Sequence, residues 1–196
     1  MALFTLENWP LLFVCAAMIA AAVIDGWKLK VPNWLTFPLI LSGWLLGLLH
    51  NFGLLAGSGD GGIGSALAGT ALGFVLLLPI YAIGGMGAGD VKMQMGFGSW
   101  VGAFYGAGKG LEVIFYAFCA GVILGGVIAL GMMLIRRQFR ANLQNTREIL
   151  GDWLHAASVG EVSDKAAQRK PRMHLLPYGI PLCLGFVGYL IYLHGF

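Results

Sequence analysis

VIFYAFCAGVILGGVIALGMMLI (Val113–Ile135) carries no charged side chain, with Glu112 on one flank and Arg136 on the other. A helix needs about 17 to 25 apolar residues to cross the hydrocarbon of a bilayer, and this stretch meets that length. Outward from it, five more long uncharged stretches fill most of the chain: Asn8–Ile24, Val31–Gly59, Gly61–Gly89, Met93–Gly108 and Met173–Phe196. Of 196 residues, 58% are hydrophobic and 11% charged, with a mean hydropathy of +0.79. So few charges cannot cover the surface of a water-soluble domain of this size. Leu, Ile, Val and Phe are too abundant for disorder, the 31 glycines follow no collagen period, and three cysteines cannot frame a disulfide scaffold. An all-α, polytopic membrane protein is the class that remains.

The expected spans are about 8–25, 34–53, 63–83, 91–109, 112–135 and 174–194, six in all. Val31–Gly59 is too long for one crossing, so Pro32 and Asn33 read as a turn or helix start and a glycine-rich loop follows His50. The first stretch is retained rather than cleaved as a secretory signal, because Met1–Asn8 has no basic residue. With six alternating spans, eleven of the twelve Lys and Arg residues share one face and Lys109 stands alone on the other. That bias makes the crowded face cytoplasmic and puts both termini outside.

Residues 136–173 form a polar cytoplasmic segment. Within it Phe139, Leu143, Thr146, Leu150, Trp153, Leu154 and Ala157 recur at helical spacing, which predicts an amphipathic helix on the inner leaflet or against the bundle, the alternative being a solvated connector that merely returns the chain. Trp9, Trp34, Trp44, Trp100 and Tyr178 read as interfacial anchors. His174 reads as an interfacial histidine.

Sorting the acidic residues isolates two. Glu7, Asp60 and Glu112 lie outside, and Glu148, Asp152, Glu161 and Asp164 lie in the polar segment. Asp25 closes the first span and Asp90 opens the fourth, both at the cytoplasmic edge of the apolar core. Ionisable groups at such a depth are costly, and by default they mark function. Each also has a bland reading: Asp90 as a favourable charge at a helix N-terminus, Asp25 as a partner for Lys28. Gly84, Gly85, Gly87 and Gly89 precede Asp90, a poor way to end a helix in lipid unless something must approach the backbone closely. They could offer backbone to an extended peptide, beside Met86, Met93 and Met95 as an adaptable wall. Two facing carboxyls can share one proton, one acting as base on a water while the other donates to a carbonyl. No cofactor is expected: the four histidines are scattered, the cysteines are isolated, and neither a P-loop nor a GxSxG or HExxH motif occurs.

The run Gly84-Gly85-Met86-Gly87-Ala88-Gly89-Asp90-Val91-Lys92 resembles the GGxGxGD(x)K motif of type IV prepilin peptidases, membrane proteases of the GxGD class. Asp25 followed by Val31-Pro32-Asn33 resembles their other signature, and Leu176-Pro177-Tyr178-Gly179-Ile180-Pro181 resembles the Pro-Tyr-Gly-x-Pro motif that opens their last span. Three motifs in order, over about residues 8 to 190, make the resemblance specific. It implies a single membrane-embedded peptidase domain over 1–196, with Asp25 and Asp90 as the catalytic pair. Gly87, Gly89, Lys92 and Asn33 are then motif or substrate-positioning residues.

The resemblance also implies a partner, a pilin or pseudopilin precursor, whose basic leader is cut off at the cytoplasmic face of a bacterial inner membrane. Neither nucleic acid nor a metal enters this reading. Larger members carry a zinc-binding insert with paired CxxC motifs after the first span and also methylate the new N-terminus. Here only a few residues separate Asp25 from Trp34, so a peptidase without methyltransferase activity is expected, similar to those serving Flp-type, tight-adherence pili. The competing readings are a small proton- or cation-coupled transporter subunit using the same two aspartates, and a non-catalytic assembly factor.

Overall fold

The computed structural model describes residues 8–55, 59, 61–82, 85–136 and 177–195. The amphipathic helix expected between Phe139 and Ala157, the rest of the polar segment up to 173, and Glu7, Asp60, Gly84 and His174 lie outside the described residues. Within them the chain is helical: α1 (Trp9–Lys28), α2 (Asn33–Asn51), α3 (Ile63–Ala82), α4 (Ala88–Arg136) and α5 (Gly179–His194). Helices are the solution that lets apolar surroundings contain a peptide backbone, because every N–H and C=O is satisfied within the segment. α1, α3 and α4 are each long and apolar enough to cross a membrane. At 20 residues, α1 and α3 each rise about 30 Å, the thickness of the hydrocarbon. An all-α polytopic membrane protein fits the chain. α5 begins at Gly179, five residues later than the sequence suggests, with Pro181 in its first turn.

α4 spans 49 residues, about 73 Å if it were straight and more than twice the hydrocarbon thickness. It is not straight. Gly106 leaves the helical region at φ 78° and ψ 176°, a backbone conformation that only glycine takes without strain. Beyond it the chain folds back: a Cβ on Gly110 would lie 3.1 Å from the Cα of Gly102, although eight residues of helix span about 12 Å. The sequence places this break between 109 and 112, at the charged pair Lys109 and Glu112. The turn comes earlier because charge marks where the chain meets water, whereas a glycine is what permits the reversal. The arms are residues 88–105 and 107–136.

The arm 88–105 is the centre of the bundle. Its Met93, Phe97, Val101 and Ala103 are buried. α3 runs antiparallel to it, so close that a side chain on Gly69 or Gly98 would overlap the other's backbone. Farther along the same seam, Gly73 sits against Gln94 and Gly102 against Ser65. α5 stacks Phe186 on Phe97, ring centroids 4.2 Å apart, and presses Gly185 onto Gly121 of the returning arm. Small residues at these crossings do in lipid what large apolar side chains do in water: they maximise close contact. Gly121 and Gly125 serve such contacts, but Gly126 faces open space.

Trp100 corrects an expectation. It is buried rather than interfacial, its indole N–H donating to the Leu39 carbonyl (2.9 Å) of α2 while Trp9 and Phe13 of α1 pack on its ring. Trp44 likewise turns inward and donates to Thr70 Oγ1 of α3 (2.9 Å). An indole in apolar surroundings needs an acceptor, and the neighbouring helices supply one. Trp34 is 69% exposed, as an anchor would be.

Replacing Gly98 with Ala forces two backbones apart and is expected to destabilise the bundle by about 1 to 3 kcal/mol, whereas Gly126→Ala stays within about 0.5 kcal/mol of the parent. Thermal unfolding in detergent micelles reads both.

Candidate active site

α1 ends one turn beyond Asp25. Leu29 adopts a left-handed conformation (φ 50°, ψ 34°), and its N–H closes on the Asp25 carbonyl at 2.7 Å. A leucine there is strained by about 1 to 2 kcal/mol, and it turns the chain sharply toward Val31. Pro32 follows in an extended conformation, its carbonyl accepting the N–H groups of Leu35 and Thr36 as α2 starts at Asn33. Only four residues separate the two helices, so the α1–α2 turn lies across the end of the bundle.

Asp90 enters from another part of the chain, in the first turn of α4. The N–H of Gly87, just before that helix, donates to Asp90 Oδ2 at 3.3 Å. The N–H of Gly179, first residue of α5, donates to Asp25 Oδ2 at 3.0 Å. Each carboxyl therefore has one oxygen held by a glycine N–H.

Asp25 and Asp90 are only 4% and 6% exposed, yet both line one cavity of about 350 Å³. The charge of Asp25 acts on Asp90 across it. Lys30, Asn33, Met86, Lys92 and Tyr178 are among the other residues lining it. Tyr178, just before α5, has its phenol pushed above the usual value, first by burial and then by the charge of Asp90, so its hydroxyl stays protonated and can donate.

The other candidates fall around the same cavity with roles that the sequence leaves open. Lys92 donates from Nζ to Asn33 Oδ1 at 2.9 Å and lies over the Phe37 ring, 4.7 Å from its centroid, so it ties α4 to the start of α2. Gly89 packs directly on Val31, where a Cβ would stand 3.0 Å from the Val31 carbonyl oxygen. Gly87 has no such crowding: a Cβ would meet Asp90 Oδ2 at an ordinary 3.5 Å. The glycine run does not present a free row of N–H donors, since Gly85 donates to Ile80 at 3.0 Å and Gly87 to Asp90. Met86 lines the cavity, while Met93 is packed in the core. Tyr178 also departs from expectation, facing the cavity instead of serving only as an anchor.

Gly179 was visible in sequence only as part of a motif. Its function is steric, because a Cβ there would lie 2.8 Å from Asp25 Oδ2 and 3.0 Å from Asp25 Cβ. Among the described residues no three His, Cys, Asp or Glu side chains group as a metal site requires. At the opposite end of the bundle, Lys109 lies over the Tyr105 ring, whose hydroxyl bonds the His194 ring, and His50 Nδ1 meets the Ala103 carbonyl. Lys28, Lys30 and Lys92 thus stand at the carboxylate end and Lys109 at the other.

A model of the type IV leader peptidase family matches residues 12–130, which include both aspartates and the glycine run. The chain belongs to that family. Among curated proteins it is 27% identical over 131 residues to a prepilin leader peptidase/N-methyltransferase of Aeromonas hydrophila, and 26% identical to one of Aeromonas salmonicida (strain A449). Each match covers 63% of this chain and 40% of the relative, so the chain spans well under half the length of these larger family members. No solved structure matches.

Gly179→Ala is expected to destabilise the protein by about 1 to 3 kcal/mol, because the new methyl collides with Asp25. Gly87→Ala keeps the N–H that Asp90 uses and is expected to fall within about 1 kcal/mol of the parent. Equal losses in thermal unfolding would contradict this division of labour.

Proposed function

We propose that the protein is an aspartic endopeptidase that removes the basic leader of type IV prepilin-like precursors, with Asp25 and Asp90 as its catalytic pair. The observation that carries this reading is that these two carboxyls, 65 positions apart in sequence, line one cavity at the basic end of an apolar helix bundle. Family membership and the activity for which the Aeromonas relatives are named support the same substrate class.

The pair shares one proton, because two adjacent carboxylates cannot both ionise easily, and it titrates as a unit. The ionised member takes a proton from water as the water oxygen attacks the scissile carbonyl carbon. The protonated member gives its proton to the carbonyl oxygen. Collapse of the tetrahedral intermediate breaks the C–N bond: the departing amine takes the proton that the base received, and a hydroxyl of the intermediate returns its proton to the other carboxyl, which restores the shared-proton pair. The glycine N–H groups each donate to one oxygen of a carboxyl and hold it in orientation for this exchange. Tyr178 and the Lys92–Asn33 link shape the walls; Lys30 adds positive charge at the rim.

In this reading the chain crosses a bacterial inner membrane six times, the two arms of α4 counting separately, with both termini outside and the cavity facing the cytoplasm. The precursor's apolar helix stays in the bilayer while its leader reaches the cavity. Methylation of the new N-terminus is not part of the activity, since the turn between α1 and α2 has no cysteine pairs. Flp-type pilins are the favoured precursors. A transporter is disfavoured because its carboxylates would sit near the midplane, not at one end of the bundle.

Co-expression with a pilin precursor tests the proposal by the mobility shift on leader loss. Asp25→Asn and Asp90→Asn are each expected to lower cleavage by about 10² to 10⁴-fold while the precursor still co-purifies. The wild-type rate is expected to fall at both low and high pH, where the pair is doubly protonated or doubly ionised. Full cleavage by either Asn variant would remove that residue from the chemistry.

A further inference from the structure

The arm 88–105 carries a polar residue that the catalytic reading does not use. Gln94 is completely buried, and neither Oε1 nor Nε2 has a hydrogen-bond partner. Asp90 Oδ1, on the oxygen opposite the one that Gly87 holds, is buried and equally without a partner. The two residues are four apart on one helix, so their Cβ atoms lie about 5 to 6 Å apart on the same face. A primary amide offers two donors and two acceptor lone pairs, and leaving all of them unmet in an apolar bundle is among the costlier arrangements a helix can hold. Two such deficits on adjacent turns of one face have a common remedy.

We propose that Gln94 is a positioning residue which, with the free oxygen of Asp90, holds a water molecule inside the protein one helical turn from the cavity. A buried water makes about three hydrogen bonds, and this pair offers the required kinds: the water donates to Asp90 Oδ1 and accepts from Gln94 Nε2, with its second hydrogen available to Gln94 Oε1. Gly87 then fixes Asp90 from one side and the water from the other, so the carboxyl keeps one orientation toward Asp25. The functional consequence rests on the peptidase reading; the water itself does not.

The test uses the full chain in detergent micelles and a prepilin substrate. Gln94→Met matches the length and bulk of the native side chain without its amide. If the amide holds a water for Asp90, Gln94→Met lowers the melting temperature, and the loss is not additive with that of Asp90→Asn because both disrupt the same water. The kcat falls about 10- to 100-fold with KM within about twofold, as loss of orientation at a general acid–base residue requires. Gln94→Glu, which keeps a hydrogen-bonding head of the same reach, restores melting and brings kcat within about tenfold of the parent; a Glu variant as impaired as Met would overturn the proposal. So would a higher melting temperature for Gln94→Met, the signature of removing a dry, unpaired amide, as would additive losses or an unchanged kcat. Wild-type protein that cleaves no precursor while the Gln94–Asp90 coupling persists supports the water site and sinks the peptidase reading instead.

Discussion

A carboxyl group at the edge of an apolar helix bundle persists only if something other than bulk water holds its oxygens. Here backbone N–H groups do so, from Gly179 for Asp25 and from Gly87 for Asp90. Both donors sit at or just before a helix start, where N–H groups lack partners within the helix and point outward. Both belong to glycines. At Gly179 this is a necessity, since any side chain would occupy the space of the Asp25 carboxyl. At Gly87 it is not, because the donor is the backbone itself and the space beside it is open. One residue type thus answers two different physical demands within a single site.

Everything that brings those donors and acceptors together depends on the arm 88–105. α1, α2, α3 and α5 each touch it through a different device: aromatic rings on Trp100 from α1, a hydrogen-bonded carbonyl from α2, glycine against glycine from α3, and stacked phenyl rings from α5. Because Asp90 opens this arm, the same packing that assembles the bundle fixes the height of Asp90 relative to the end of α1 and the start of α5. Gly106 completes the arrangement by returning the chain, so that the arm 107–136 backs α5 from the other side.

Several side chains show where local pattern misleads. Trp100 and Trp44 read as interfacial anchors by residue type, but acceptors on neighbouring helices draw their indoles inward. Gln94 is one amide in an uncharged stretch of sequence, and what sets it apart, the lack of a partner for either end of its amide, only the surrounding packing reveals. Lys92 sits two residues from Asp90 in sequence, which suggests a counter-charge, yet its ammonium is tied to Asn33.

From the linear chain alone came the class of protein, the approximate helices and the isolation of Asp25 and Asp90. The reason is that apolar length and the scarcity of charge in lipid are properties of composition and order along the chain. The family motifs added the grouping of Asp25, Asp90 and the Pro-Tyr-Gly run. Only the tertiary structure decided that the two carboxyls border one cavity, which glycine is steric and which is merely a donor, and that the fourth helix turns at Gly106. These depend on distances between segments tens of residues apart, and such distances are set by how closely the helices pack.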